Sequence, residues 1–271
     1  MHRSGTIGAT PRTRSRTGQG GAMLRSLKEL RGYDIAATDG SMGDVHDFLF
    51  DDDEWRLRYV VVDTGKWLPG RKVVLAPEVL GQPDPGRKKL PVSLDRQRVK
   101  EGPPLEFHKP VSRQHEEAIR SYYEWPKYWK IYPTGMAGAP ALPGIEPVAA
   151  VGRRTDGEIQ GDPTLRSMRE VEGYRVAALN DEFGAVTDFL VDDEGWQIRY
   201  LVIDTNKLLP GRHVLIAPSW VTEVNWDQAK VYVNLAKDQI KASPPFKTAD
   251  AIDRQYEIGL FEQYRQPVYW P

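Results

Sequence analysis

The 271-residue chain is written twice. Residues 24–129 and 165–270 align without a gap at a constant offset of 141 positions, and 42 of the 106 paired positions are identical. Leu24-Arg25-Ser26 answers Leu165-Arg166-Ser167, Asp47-Phe48-Leu49 answers Asp188-Phe189-Leu190, and Tyr128-Trp129 answers Tyr269-Trp270. A period this long, present only twice, does not describe a solenoid, whose units are shorter and need neighbours to bury their faces. It describes the tandem duplication of one complete domain, since a unit of this size can enclose its own core. Each copy therefore shows which residues the other can change while keeping the same fold.

Strand signals run at period two and recur in both copies. Leu57, Tyr59, Val61 and Asp63 share one face, as do Ile198, Tyr200, Val202 and Asp204. Val60 and Val62 are apolar as well, so this strand is expected to be covered on both faces. Val73 and Leu75 (Val214 and Ile216) mark another strand, and Leu90, Val92 and Leu94 (Val231, Val233 and Leu235) a later one. The segments Ile35–Ala37 and Val45–Phe50 read as extended, with a bulge expected near Asp47 where Val45 and Phe48 break the alternation. Asp51–Glu54 and Asp192–Gly195 suit hairpin turns, while Gly65 and Asn206 share a turn position that tolerates positive φ. Helix enters late. Ser112 and Asp253 are good N-caps, Ile119, Tyr122 and Tyr123 share one helical face, as do Leu260, Phe261 and Tyr264, and Pro126 and Pro267 end these helices. Short strands with frequent turns argue for a small barrel or sandwich, and barrel closure would remove exposed edges. Trp55 and Trp196, just after the hairpin turn, are expected to cover a barrel end.

These residues resemble a known family. Gly32-Tyr33, Gly43-x-Val45-x-Asp47-Phe48-Leu49, Asp51-Asp52, Trp55-x-x-Arg58-Tyr59-x-Val61-x-Asp63-Thr64 and Leu68-Pro69-Gly70-Arg71 are similar to the PRC-barrel domain, with counterparts running from Gly173 to Arg212. The family is named for the cytoplasmic domain of the photosynthetic reaction-centre H subunit, and it includes a domain of a ribosome maturation factor and stand-alone bacterial proteins. The resemblance implies a mainly β fold: two tandem small PRC-type β-barrels, each with a C-terminal helix. The domains are then residues 24–129 and 165–271, preceded by a disordered leader, 1–23. Residues 130–164, with six glycines, five prolines and five alanines, form a flexible linker. The leader carries Arg3, Arg12, Arg14 and Arg16 without acids, and lacks the apolar core of a secretory signal. Met23, directly before the repeat, stands where a true start is expected.

Composition narrows the chemistry. With 37 basic and 38 acidic residues the net charge is −1, so nothing in the overall field favours nucleic acid. Cysteine is absent, which excludes thiol chemistry, disulfides and Cys-type metal sites and fits a reducing cytoplasm. His46, His108, His115 and His213 correspond to Thr187, Ala249, Tyr256 and Lys72, so no histidine is duplicated and none has metal-site spacing. The acids Asp51–Glu54 are contiguous and read as a hairpin turn, not a calcium loop.

Two constellations are duplicated. Asp63 and Asp204 are candidate buried acids: the functional reading is proton handling, the structural one an acid accepting turn amides or pairing with Arg71 or Arg212. Lys66, Trp67 and Arg71, with Lys207, Leu208 and Arg212, flank a Pro-Gly turn and form candidate partner-docking loops. The aromatic tails after each helix read as a packed clasp, not a base-stacking platform. No nucleophile–base pair recurs. The expected function is therefore a non-catalytic protein-interaction or scaffold module without cofactor or metal, cytoplasmic, with the repeats packed as an intramolecular pseudo-dimer or assembling as a homo-oligomer. The alternatives are a peripheral photosynthetic reaction-centre or electron-transfer accessory at the cytoplasmic membrane face, and a ribosome- or RNA-associated factor.

Overall fold

The computed structural model describes residues 23–65, 67–103, 113–129, 165–178, 181–205, 208, 210–249 and 252–270. The expected leader up to residue 22, the whole of the linker, Ser112 and Asn206 lie outside them. The first repeat contains β1 (Leu24–Ser26), α1 (Leu27–Leu30), β2 (Asp34–Ala37), β3 (Gly40–Asp51), β4 (Arg56–Asp63), β5 (Lys72–Leu75), β6 (Lys89–Pro91), α2 (Arg96–Glu101) and α3 (Arg113–Tyr123). The second contains β7 (Leu165–Ser167), α4 (Met168–Val171), β8 (Arg175–Ala178), β9 (Asp181–Asp192), β10 (Ile198–Asp204), β11 (His213–Ile216), β12 (Val221–Asn225), β13 (Lys230–Val233), α5 (Lys237–Ala242) and α6 (Arg254–Tyr264). Nearly every element recurs at the 141-residue offset. β12 has no full counterpart, since residues 80–84 make only isolated bridges, Leu80 with Val92 and Asp84 with Lys89.

The strands form two mixed sheets, ordered β5-β4-β3-β2-β6 and β11-β10-β9-β8-β13-β12. The β2–β6 and β8–β13 pairs are parallel and the other ladders antiparallel. The expected barrel closure differs from what the ladders show: both orders are open, and no ladder joins β5 to β6 or β11 to β12 among the described residues. The edge that matters most is covered by another route. The first half of β3 pairs with β2, which is too short to reach the second half. There Leu49, Phe50 and Asp51 pair instead with Ser167, Arg166 and Leu165 of β7, from the other repeat. Reciprocally, Leu190, Val191 and Asp192 of β9 pair with Ser26, Arg25 and Leu24 of β1. Each repeat lends its first strand to the other, so two unpaired rows of backbone groups are satisfied by exchange.

The expected bulge is present. Register shifts between Val45 and Asp47, where Asp47 faces Val61 and Val45 faces Val62. Residues 57–62 of β4 are all buried, as expected for a strand covered on both faces. The buried apolar residues of both repeats form one continuous cluster, and the Phe50 and Phe189 rings meet across the seam with centroids 5.5 Å apart. At α6, the Asp253 carboxylate accepts the Tyr256 amide (2.8 Å), which is the expected N-cap. Both late helices stop before their prolines, at left-handed residues Glu124 (φ 59°) and Arg265 (φ 54°).

Candidate functional site: the seam between the repeats

The polar residues that the repeats share converge on the seam and on the helix clasp. Ser26 caps α1 by accepting the Glu29 amide (3.0 Å) and donates to Asp188 Oδ2 (2.5 Å) in the other repeat. Asp188 Oδ1 accepts the Lys28 amide (2.9 Å) and its own neighbour's, Phe189 (2.7 Å). The mirror arrangement is complete. Ser167 accepts the Glu170 amide (3.2 Å) and donates to Asp47 Oδ2 (2.5 Å), while Asp47 Oδ1 accepts the amides of Phe48 (2.8 Å) and Arg169 (3.3 Å). Each of these carboxylates thus fastens the first turn of a short helix from the other repeat, where amides point outward unpaired. Burial pushes the Asp188 carboxyl above its ordinary range, opposed by the bonds from Ser26, Lys28 and Phe189.

Ion pairs flank this core of the seam. Arg25 Nε lies 2.9 Å from Asp193 Oδ2, and Arg166 Nε lies 3.0 Å from Asp52 Oδ2. Burial raises the Asp52 carboxyl, with Arg166 working against the shift. The Arg166 guanidinium also stacks 3.9 Å from the centre of the Trp226 ring. Trp55 and Trp196 sit at the seam, not at a barrel mouth. The Leu57 amide donates to Trp196 O and the Ile198 amide to Trp55 O, each at 2.9 Å.

The acidic turn is committed to structure. Asp51 Oδ1 accepts the amides of Asp53 (2.9 Å) and Glu54 (3.0 Å), and Asp51 Oδ2 faces Arg58 at 3.5 Å. The carboxylates of Asp51, Asp52 and Asp53 lie close enough to share a cation, but Arg58 and Arg166 already supply the positive charge.

A second shared cluster docks the late helices. Glu116, buried on α3, accepts from Tyr59 Oη (3.2 Å) and Tyr128 Oη (2.6 Å); Glu257 on α6 accepts from Tyr200 Oη (2.7 Å) and Tyr269 Oη (2.8 Å). Burial and then the adjacent carboxylate push Tyr200 far above the usual phenol range; Tyr269, by the same two causes, is pushed up to about 12. The repeats diverge one turn later. Arg120, buried in the first, reaches Tyr59 Oη at 2.9 Å and Glu78 at 3.2 Å, whereas the second places Phe261 there, against Trp220.

The candidates read from the sequence fall differently. Asp63 is exposed, not buried, and Asp204 is half-buried, because both stand on the last residue of their strand, where the sheet stops covering them. Asp63 accepts the Gly65 amide (2.9 Å), so the turn-amide reading describes it and the buried-acid reading does not. Arg71 donates to the carbonyls of Lys100 (2.8 Å) and Gly102 at the end of α2, and Arg212 to those of Lys241 (3.1 Å) and Ser243 at the end of α5. These cations cap helix C-termini. Trp67 and Leu208 are half-buried against the core, while Lys66 and Lys207 lie outside the described residues. Substituting Arg212 by alanine, or by lysine, which lacks the fork to reach two carbonyls, is expected to lower stability by about 1–2 kcal/mol in urea unfolding.

His46 Nε2 sits 2.7 Å from Lys72 Nζ and 3.4 Å from Arg169. Burial first, then the two cations, hold its pKa below the ordinary value, so the imidazole is neutral at pH 7.

What the sequence reading missed is the exchange itself: Ser26, Ser167, Asp47 and Asp188 were on view as duplicated residues, but three-residue strands carry no periodic signal.

Against this geometry, residues 24–96 match the PRC-barrel domain family, a span covering β1 to β6 of the first repeat and ending at the first residue of α2. No curated protein matches the chain. Among the described residues, no helix is long and apolar enough to cross a membrane.

Proposed function

We propose that the chain is a non-catalytic protein-interaction module made of two PRC-barrel-type repeats, 24–129 and 165–271, held together as an intramolecular pseudo-dimer. One observation carries this reading. The polar residues kept in both repeats (Asp47/Asp188, Asp51/Asp192, Arg71/Arg212, Glu116/Glu257) spend their hydrogen bonds on the fold, so what differs between the repeats is left for partners. The loops after β4 and β10 are the proposed docking elements, carrying Trp67 in one repeat and Leu208 in the other. Two unlike loops on one rigid body would engage two sites with raised effective concentration.

Native co-purification of the tagged full chain with mass spectrometry tests this. A reproducible partner is expected, and its recovery should fall in Trp67→Leu, a substitution the second repeat already tolerates at the paired position, without a change in melting temperature. Recovery of nothing above background, or a partner indifferent to both loops, would count against the reading.

A further inference from the structure

The two repeats meet about a pseudo-two-fold axis, and two pairs of side chains lie on it. An isologous contact is reciprocal: if position i of one unit touches j of the other, then j touches i, and a position on the axis touches itself. The seam obeys this rule at the 141-residue offset. Leu57 with Trp196 mirrors Ile198 with Trp55, and the β1–β9 ladder mirrors the β7–β3 ladder. Arg56 meets its own counterpart Gln197 in an isolated bridge, with Arg56 Nε 3.1 Å from Gln197 Oε1. Arg31 likewise meets its own counterpart, Glu172. The contact is a two-pronged ion pair, Nη2 to Oε1 at 2.6 Å and Nη1 to Oε2 at 3.1 Å, with both side chains about four-fifths buried (21% and 23% exposed).

That position discriminates against both like pairings. Were a first repeat to pair with another first repeat, Arg31 would face Arg31; two second repeats would set Glu172 against Glu172. Only the unlike pairing puts opposite charges on the axis. The reciprocal contacts that flank the axis (Ser26 to Asp188 and Ser167 to Asp47, Arg25 to Asp193 and Arg166 to Asp52) would form equally well between like repeats, because both partners of each are present in both copies, and Arg56 with Gln197 would set like charges together only in a pair of first repeats.

We propose that Arg31 and Glu172 are the specificity-determining residues of the seam: they select pairing of a first repeat with a second repeat and reject like-with-like assembly between chains. The partner that the exposed face of either repeat fits is therefore a PRC-type repeat bearing the opposite charge at this one position. In the intact chain that partner is the other repeat. Like charges brought together at a desolvated contact cost enough to suppress the wrong partner, whereas a fork-shaped Arg–carboxylate pair adds geometric selectivity to the right one.

The test uses the full chain with a protease site placed in the span 130–164, cleaved after folding and studied by native mass spectrometry, which separates the three possible pairs by mass. The wild-type halves are expected to remain as the unlike pair, including after incubation at low concentration. Arg31→Glu should raise their dissociation constant roughly tenfold or more and let mixed pairs scramble. Glu172→Arg should behave the same way. The chain carrying both substitutions restores opposite charges and should restore the unlike pair, which a general folding defect would not do. The preference should also weaken as salt rises. If Arg31→Glu leaves the distribution of pairs unchanged, or the doubly substituted chain scrambles like the single variants, the assignment is wrong. Unlike pairs formed between two chains instead of within one would leave it standing, since the axis contact is the same.

Discussion

Replacing Gly43 by alanine is expected to cost about 3–5 kcal/mol, more than at any other glycine among the described residues. Gly43 has φ of 122°, a backbone conformation that side chains rarely adopt. A Cβ there would lie 2.0 Å from the Asp63 carbonyl oxygen and 2.7 Å from the Thr64 Cα, both backbone atoms that no rotamer change can move. The glycine is what lets β3 cross close over the end of β4. Gly184 in the second repeat meets the same obstacle, 2.2 Å from the Asp204 carbonyl, but without the positive φ, so Gly184→Ala should cost about 1–3 kcal/mol. Gly32 is the control. Its φ is 78° but nothing stands within 4 Å of a Cβ, so only the conformational cost of about 1–2 kcal/mol applies. Urea unfolding of the three variants should rank them in that order. Equal losses at Gly43 and Gly32 would show that the close approach is not what fixes the glycine.

The second large effect belongs to Asp188. Asp188→Ala strips acceptors from Ser26 Oγ and from the Lys28 and Phe189 amides at once, in a site only 8% exposed, and is expected to cost about 3 kcal/mol or more. Asp188→Asn should cost about 1 kcal/mol or less. Its carbonyl can take the two amides that now share Oδ1, and the Ser26 hydroxyl can turn to accept from the new amide group. The pH response separates the variants further. Burial raises the folded carboxyl of Asp188 above its unfolded value, so the folded state holds the proton more tightly. By linkage this group's contribution to stability is greatest below the unfolded pKa, declines as pH rises through the raised folded pKa, and is level above it. Asp188→Asn removes that component, so the stability of the wild type minus that of the variant, followed across the acid range, should fall as pH rises. A difference curve that instead rises with pH would mean the carboxylate is stabilised in place, with its three donors outweighing burial.

Much of the fold was written in the duplication. The bulge at Asp47, the doubly covered β4 and the order from β2 to β6 with a late helix follow from period and turn residues that the second copy repeats, and the Asp253 cap from its residue type before that helix, whereas the short helices and β12 carry no such signal. Two things were not. Period two placed Asp63 on a face with Leu57, Tyr59 and Val61, but β4 is buried on both faces through Val62 and uncovered at its last residue, so face membership says nothing about Asp63. The seam was hidden for a different reason. β1 and β7 are three residues long, shorter than any periodicity can mark, and their partners lie more than a hundred positions away, so only the tertiary structure joins Ser26 to Asp188. Arg71 and Arg212 were legible as important through their duplication, while their role as caps on helix ends 29 to 31 residues further on depended on where those helices come back to the sheet.

The exchange of first strands also dictates an order of events during synthesis. The second half of β3 is complete in sequence once Asp51 has been made, yet its edge stays unpaired until Leu165–Ser167 have emerged, more than a hundred residues later. The second repeat has no such wait, because β1 was the first described strand to leave the ribosome and is already present when β9 appears. The first repeat thus cannot be finished from its own residues, and its completion waits on the first strand of the second.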